Sequence, residues 1–324
     1  MVERHAPVWE GRRDSWRAGA AVAARLAAAE ARLARPLPPC DAVVVGYPGH
    51  ADMPLARVLA GRRPVVFNPL VSLADTLVAD RARFGPRSLA ARALEQIDRV
   101  ALRAADLVVA DTEANAGFLA RLADLPRSEV AVCFVGAEER LFSPGWTPAE
   151  PFTCLFVGKL IPLHGLETIL AAARLALDVS FRVVGSGQLE ALLADRPANV
   201  EWIPWIDYER LPGEIRRCGC ALGIFGTSDK AARVIPNKVF QALACGAPVV
   251  TADTPAAREL LVDGESALLV PPGDPEALAA AVRRLRDEAE LAMRVAAGGA
   301  EAYRTRASEA ILGRRWRGLI EALL

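Results

Sequence analysis

The pattern that most constrains this 324-residue chain is a short apolar strand followed by a helix, repeated along most of its length. The first strands, DAVVVG at 41–46 and RPVVFN at 63–68, are rich in valine, and the segment between them has helical periodicity. Continuous apolar runs without alternation are typical of parallel strands that helices cover on both faces. The chain is therefore predicted to form α/β domains on parallel sheets.

Two series of strand and helix units are separated by a segment with proline and glycine punctuation, EERLFSPGWTPAEP at 138–151, which we interpret as a linker. Before it, ADLVVAD at 105–111 and SEVAVCFVG add two more strands. After it, six strands are predicted in FTCLFVG, SFRVVGSG, NVEWIP, CALGIFG, APVVTAD and SALLVPPG. Helices are predicted between them, notably at 165–177, 208–217, 237–245, 256–262 and 274–288.

These series predict an N-terminal domain at 1–145 and a C-terminal domain at 151–300. An amphipathic segment at 301–324 is expected to form a helix that packs back towards the N-terminal domain. Both domains are predicted to be Rossmann-like and doubly wound, facing each other across a cleft. In such sheets a ligand binds at the carboxyl ends of the strands.

Composition excludes several classes of function. The chain carries 39 basic and 39 acidic residues, so no overall charge attracts it to nucleic acid. Six cysteines lie outside the CxxC spacings of zinc sites and only three histidines accompany them, so we expect free thiols, a cytoplasmic location and no metal. No stretch approaches the roughly 20 apolar residues of a membrane span.

The N-terminal segment WRAGAAVAARLAAAEARLAR is predicted to be a helix, because charges interrupt its apolar positions too often for a signal peptide. Its apolar face is expected to pack on the domain. The alternative is a weak contact with the inner face of the membrane through Trp16 and the arginines.

The chain contains only three lysines. The other 36 of its 39 basic residues are arginine. Lys159 follows the strand FTCLFV, Lys230 follows CALGIFG, and Lys238 opens the helix KVFQALACG. All three are predicted at the carboxyl edge of the C-terminal sheet, where they would converge on one crevice.

Glycines and a helix start accompany the lysines. Gly158, Gly165, Gly185 and Gly187 would let the backbone approach a ligand closely. The helix after Pro236, beginning at Asn237, offers free N–H groups and positive partial charge. These features predict a nucleotide diphosphate as ligand, and Glu259 in TPAARE could reach the same crevice. The GxGxxG fingerprint of nicotinamide cofactors is not completed, and no cofactor is expected.

Four segments together carry a family resemblance: LFVGKLIPLHGLETILAAARL, FRVVGSGQLEALL, NVEWIPWIDYERLPGEIRRC and PNKVFQALACGAPVVTADTPAARELLVDGESALLVPPGDPEALAAAV. This stretch resembles the C-terminal domain of the retaining nucleotide-sugar glycosyltransferases of family 4, which have the GT-B fold. The resemblance covers about 151–300 and is looser over 41–145. It implies sugar transfer from a nucleotide diphosphate donor with retention of configuration and without an obligatory metal. It also implies that Lys159 and His164 hold the diphosphate; a histidine there can donate to phosphate.

The chain departs from the family pattern at two glutamates spaced eight positions apart, where it has Arg233 and Gln241. An amide at Gln241 can still bond a ribose. Arg233 implies either a donor with an acidic group or a rearranged phosphate clamp of Lys230, Arg233 and Lys238. The PNK turn with Lys238 resembles a variant subgroup of the family.

The N-terminal domain departs more strongly, since the usual opening strand, glycine-rich loop and helix have no counterpart before residue 41. Either the sequence starts late or this is a reduced form of the domain. Across the cleft, His50 in GYPGHADM could contact the leaving phosphate or the sugar, and Asn68 stands where the family often has histidine. We therefore predict His50, Lys159 and Lys238 as catalytic residues.

The leading interpretation is a glycosyltransferase that uses a nucleotide sugar and an unidentified acceptor, such as a cell-envelope glycan or a lipid-linked acceptor. Two alternatives stay open. One is a weak or inactive homologue that binds a nucleotide or a partner, and the other is a nucleotide-sugar epimerase on the same fold.

Overall fold

The structure, a computed structural model, describes residues 2–6 and 20–324. Helix α1 (Ala20–Leu33) precedes the first sheet, which is all parallel and follows chain order. Its strands are β1 (Val43–Val45), β2 (Val65–Phe67), β3 (Leu107–Ala110) and β4 (Val130–Val132). The connecting helices are α2 (Met53–Ala60), α3 (Leu89–Arg103) and α4 (Glu113–Ala123), with a π-helical segment at Asp75–Asp80.

The second sheet has six parallel strands in the order β10-β9-β8-β5-β6-β7. These strands are β5 (Thr153–Val157), β6 (Ser180–Val184), β7 (Val200–Ile203), β8 (Cys220–Leu222), β9 (Val249–Ala252) and β10 (Leu268–Val270). The helices are α5 (Leu166–Leu175), α6 (Leu211–Arg217), α7 (Asn237–Cys245), α8 (Pro255–Arg258), α9 (Pro275–Asp287), α10 (Ala289–Arg306) and α11 (Glu309–Glu321).

The second sheet is doubly wound, as predicted. From β5 the chain moves outwards to β7, then returns to the other side of β5 and continues through β8 to β10. The direction therefore reverses between β5 and β8, which makes the carboxyl ends of these two strands the expected ligand site. Phe156 and Phe181 belong to the core on one face, whereas Leu155 and Val184 belong to the core on the other.

The first sheet differs from the predicted doubly wound form, because its four strands progress in one direction. Right-handed crossovers place all the connecting helices of such a sheet on one face. Phe67 and Val108 pack with these helices, while Val66 and Val109 point to the other side. That side is covered by α11, through Trp316 and its neighbours Leu312 and Leu319. The C-terminal helix thus supplies the second layer that additional crossovers would have provided.

Helix α10 was not predicted from the sequence. It contains a Gly-Gly pair at 298 and 299, which lowers helix propensity by about 1 kcal/mol per glycine. The fold requires the small residue, since a Cβ on Gly298 would lie 2.1 Å from the carbonyl oxygen of Glu265.

Helix α1 lies within the predicted N-terminal helix, whereas Trp16 and its proposed membrane contact lie outside the described residues. Across residues 2–6 and 20–324, the helices are too short or too polar to cross a membrane.

We expect Trp316→Ala to lower the free energy of unfolding by about 2 kcal/mol, since this partly buried ring covers the sheet and a fully buried aromatic is worth about 3–5 kcal/mol. Arg317→Ala, on the exposed side of the same helix, is the matched control and should change it by less than about 0.5 kcal/mol. Urea unfolding measures both. Equal effects of the two variants would contradict the packing of α11 on the sheet.

Candidate functional site

The Lys238 pocket, defined by Phe156, Gly158, His164 and Lys238, lies at the carboxyl end of β5. The ammonium Nζ of Lys238 is 4.0 Å from the centroid of the Phe156 ring. It is buried and has no hydrogen-bond partner among the described residues. Burial alone lowers the pKa of Lys238 well below its usual range. A buried cationic group without a partner is costly, so this position favours an anionic ligand.

Gly158 opens this pocket. Its φ is +152°, and a Cβ at this position would lie only 2.9 Å from the Lys238 Nζ. The other predicted glycines have a different role. A Cβ on Gly185 would lie 1.9 Å from the Gly158 carbonyl oxygen, and Gly165 and Gly187 are similarly close to Phe225 and Leu160. These three glycines let the loops of the protein pack against one another, and only Gly158 faces the lysine.

His164 is locked in a neutral form. Its Nδ1 donates a hydrogen bond to the Lys159 carbonyl oxygen, and its ring packs edge-on against Phe156. Burial, followed by the charge of Lys238, lowers the pKa of His164 to about 2. In this tautomer Nε2 carries no proton, so His164 does not offer phosphate the N–H donor predicted from the sequence. The side chain of Lys159 itself is exposed at the mouth of the strand end.

The start of α7 adds backbone donors to this edge. Pro236 is the N-cap and the first turn has no side-chain cap, so amide N–H groups of this turn remain available to an anion. Asn237 is exposed at this end. Gln241 lies one turn further on, where its Nε2 donates to the Tyr208 hydroxyl at 3.5 Å.

Lys230 is directed to the first domain instead of to the Lys238 pocket. Its Nζ donates to Thr76 Oγ1 at 2.8 Å and lies 3.5 Å from Asp80 Oδ2. The side chains of Lys230 and Asp80 are 7% and 1% exposed. The three lysines therefore share one edge of the sheet but not one ligand, because Asp80 already neutralises Lys230. Its charge still contributes to the low pKa of His164.

Arg233 also contacts the first domain. Its Nη2 lies 2.9 Å from Asp75 Oδ1, and its guanidinium stacks 4.0 Å from the centroid of the Phe118 ring. The carbonyl oxygen of Arg233 accepts a hydrogen bond from Thr112. A clamp in which Lys230, Arg233 and Lys238 jointly hold phosphate is therefore not assembled in this structure.

Glu259 does not reach the pocket as predicted. Its two carboxylate oxygens accept hydrogen bonds from the backbone N–H groups of Glu113 and Ala114, at 2.7 and 2.9 Å. These are the first residues of α4, where a negative charge complements the helix dipole. Glu259 thus joins the two domains.

His50 is 2% exposed, which contradicts its predicted contact with phosphate or sugar. Its Nε2 lies 3.3 Å from Asp98 Oδ1, and its Nδ1 is 3.4 Å from the Pro48 carbonyl oxygen. Burial lowers the pKa of His50 and raises that of Asp98. Asn68 also forms a hydrogen bond within the first domain, because its Nδ2 donates to the Val109 carbonyl oxygen of β3.

Asp98 in turn anchors the segment that contacts the second domain. Its carboxylate accepts hydrogen bonds from Ser72 Oγ and from the backbone N–H groups of Leu73 and Ala74. These residues lead directly into the π-helical segment. His50 is therefore a supporting residue behind the cleft.

Sequence reasoning missed the acidic side of the cleft, formed by Asp75 and Asp80 with the hydroxyl of Thr76 between them. The signal was present in SLADTLVADRAR, where two aspartates flank the short run TLVA. Buried acidic residues need partners, but the stretch does not reveal that the partners lie about 150 residues away.

Comparison with known proteins shows what the second domain is similar to. Residues 151–288 match the family model described as glycosyl transferases group 1. The phosphatidyl-myo-inositol mannosyltransferase of Mycobacterium leprae is 35% identical over 162 residues, covering 47% of this chain and 42% of that protein. The lipopolysaccharide core biosynthesis glycosyltransferase LpsD of Rhizobium meliloti is 28% identical over 167 residues, covering 50% and 47%. The chain spans about half the length of the curated relatives it matches.

Solved structures confirm the two-domain GT-B fold. Sucrose-phosphate synthase of Thermosynechococcus elongatus aligns with a TM-score of 0.71 at 20% identity, over 87% of this chain and 74% of that one. HepE of Anabaena, solved in complex with UDP, aligns with a TM-score of 0.68 at 17% identity, over 92% and 82%.

We expect the free energy of unfolding of the wild-type protein to fall as the pH is lowered, because His164 stays neutral in the folded protein. The unfolded chain binds a proton near pH 6.5, whereas the native ring stays neutral to about pH 2. Between pH 7.5 and 5.5 the free energy of unfolding should therefore fall by about 1.4 kcal/mol relative to His164→Gln. Urea unfolding of both proteins at the two pH values measures this. A difference between the two proteins that does not change with pH would show that His164 titrates normally.

We expect Lys230→Met to destabilise the protein by about 3–5 kcal/mol, because it leaves the buried carboxylate of Asp80 without its partner. Adding Asp80→Asn should recover most of this loss. The double-mutant cycle is measured by urea unfolding, and additive effects of the two substitutions would contradict the ion pair.

Proposed function

We propose that this chain, whose residues 151–288 match the group 1 glycosyl transferases, transfers a sugar from a nucleotide diphosphate donor bound in the Lys238 pocket. The observation that carries the proposal is the buried, unpartnered Nζ of Lys238 beside Gly158. Natural proteins rarely keep such a group unless a ligand or water satisfies it. A diphosphate supplies both the negative charge and the acceptor oxygens that this ammonium lacks.

The arrangement suits departure of a nucleoside diphosphate. As the bond between sugar and phosphate breaks, negative charge develops on the phosphate oxygens. The Lys238 ammonium and the N–H groups at the start of α7 are held in place before the reaction, so they stabilise this charge without rearranging. Lys159 is exposed at the same strand end, that of β5, and can add a second charge from the solvent side.

The finer features of the reaction follow from the resemblance to family 4. They are retention of configuration, attack by the acceptor on the face that the diphosphate leaves, and chemistry without an obligatory metal. The acceptor that we propose is a cell-envelope glycan or a lipid-linked molecule. The names of the relatives support this class, since they include a lipopolysaccharide core glycosyltransferase and a phosphatidyl-myo-inositol mannosyltransferase.

A homologue that binds nucleotide without catalysis is the second candidate. It is favoured by Arg233 and Gln241, which replace the two family glutamates, and by the commitment of Arg233 to Asp75.

We expect Lys238→Met to weaken binding of the preferred nucleoside diphosphate about 10- to 100-fold, because a hydrogen bond to a charged group is worth about 1.5–3 kcal/mol. The same variant should unfold at an equal or higher temperature without ligand, since it replaces a buried amine that has no hydrogen-bond partner with an apolar side chain. Calorimetry against UDP, GDP and ADP measures affinity, and thermal unfolding measures stability.

Arg217→Met is the matched control. It removes an exposed charge at the end of α6, on the opposite edge of the sheet, and should leave the affinity unchanged. Retained nucleotide affinity in Lys238→Met would place the diphosphate elsewhere. Binding by the wild type without transfer or hydrolysis of any nucleotide sugar would favour the non-catalytic homologue.

A further inference from the structure

The Arg233–Asp75 pair retains unused hydrogen-bonding capacity at the domain boundary. Arg233 Nε is buried without a hydrogen-bond partner in the described part of the chain. Asp75 accepts from Arg233 through Oδ1, and its Oδ2 makes no hydrogen bond within residues 2–6 and 20–324. The two side chains are 14% and 13% exposed, so their outer atoms, though not the buried Nε, are accessible to a ligand in the cleft. A donor and an acceptor side by side match a sugar hydroxyl, which both donates and accepts.

This pair borders the proposed donor site. Arg233 lies five residues before Lys238, in the turn that leads to α7. The neighbouring Lys230 is close enough for its charge to lower the pKa of His164, which lines the Lys238 pocket. Asp75 enters from the first domain and faces the same turn.

Both basic residues of this turn are paired with acidic residues of the first domain. Asp75 neutralises Arg233, and Asp80 neutralises Lys230. An unpaired arginine would attract a carboxylate on the sugar, which is one of the two roles that the sequence suggested for Arg233. The paired arginine cannot do so at full strength, and Asp75 repels an acidic sugar directly.

We propose that Asp75, paired with Arg233, contacts the sugar of the donor and selects neutral sugars against sugar acids. This inference rests on the proposed function. It assigns a specificity-determining residue of the donor site to the first domain, on the segment that Asp98 anchors. The neutral hydroxyls of the sugar donate to Asp75 and accept from Arg233, whereas a carboxylate is rejected.

The test uses donor pairs that share a nucleotide and differ only in sugar oxidation: UDP-glucose with UDP-glucuronate, and GDP-mannose with GDP-mannuronate. Dissociation constants are measured by calorimetry for the wild type and for Asp75→Asn. The wild type should bind the neutral member at least about tenfold more tightly. In Asp75→Asn this preference should fall about tenfold, while affinity for the nucleoside diphosphate alone changes less than about twofold.

Asp80→Asn is the control for a purely structural effect, because it makes the same substitution on the same segment at a residue that is 1% exposed. It should lower the unfolding temperature and leave the sugar preference intact. Equal preferences in wild type and Asp75→Asn would overturn the inference, and so would an Asp80→Asn variant that changes them as much. If the wild type binds UDP or GDP normally in those experiments, the proposed function survives; if it binds no nucleotide, both fail.

Discussion

The buried ion pair between Lys230 and Asp80 is the interaction on which the arrangement of the two domains depends. The Asp80 oxygens have no hydrogen-bond partner in the described chain, and the nearest cation is the Lys230 ammonium at 3.5 Å. Removing either partner would leave the other as an uncompensated buried charge, which is strongly destabilising. Two further sets of contacts join the same domains, between Glu259 and the start of α4 and between Arg233 and Asp75.

The two buried lysines of the second domain show how burial assigns different roles to the same residue type. Lys230 contacts the Asp80 carboxylate and the Thr76 hydroxyl, so its charge is neutralised within the protein and is not available to a ligand. Lys238 faces the Phe156 ring, the neutral His164 ring and Gly158, and none of them hydrogen-bonds its ammonium, so the ammonium remains available to an anion. The difference arises from what the first domain contributes: it brings acidic side chains to Lys230, and none of its described residues bonds the Lys238 ammonium.

Much of the fold could be predicted from local pattern. Continuous apolar runs separated by helical periodicity identified every strand of both sheets, because parallel strands covered on both faces must be apolar throughout. Helix α10 was not predicted because a glycine pair is typical of a helix end. The close approach of the Glu265 backbone, which only the structure shows, explains the glycine at 298. The amphipathic pattern at 301–324 predicted a helix that packs back towards the N-terminal domain, but not that α11 forms the second layer of the first sheet.

The sequence by itself determined the strand and helix order, the placement of the three lysines at one edge of the second sheet and the departure at Arg233, since these depend on residue order alone. Tertiary structure decided which of those groups stay available. Burial of His50 and His164, the pairing of Lys230 and Arg233 with residues about 150 positions away, and the use of Glu259 as a helix cap all depend on distances through space. The energy of a charge depends on its partners and its exposure, and neither is encoded in the local sequence.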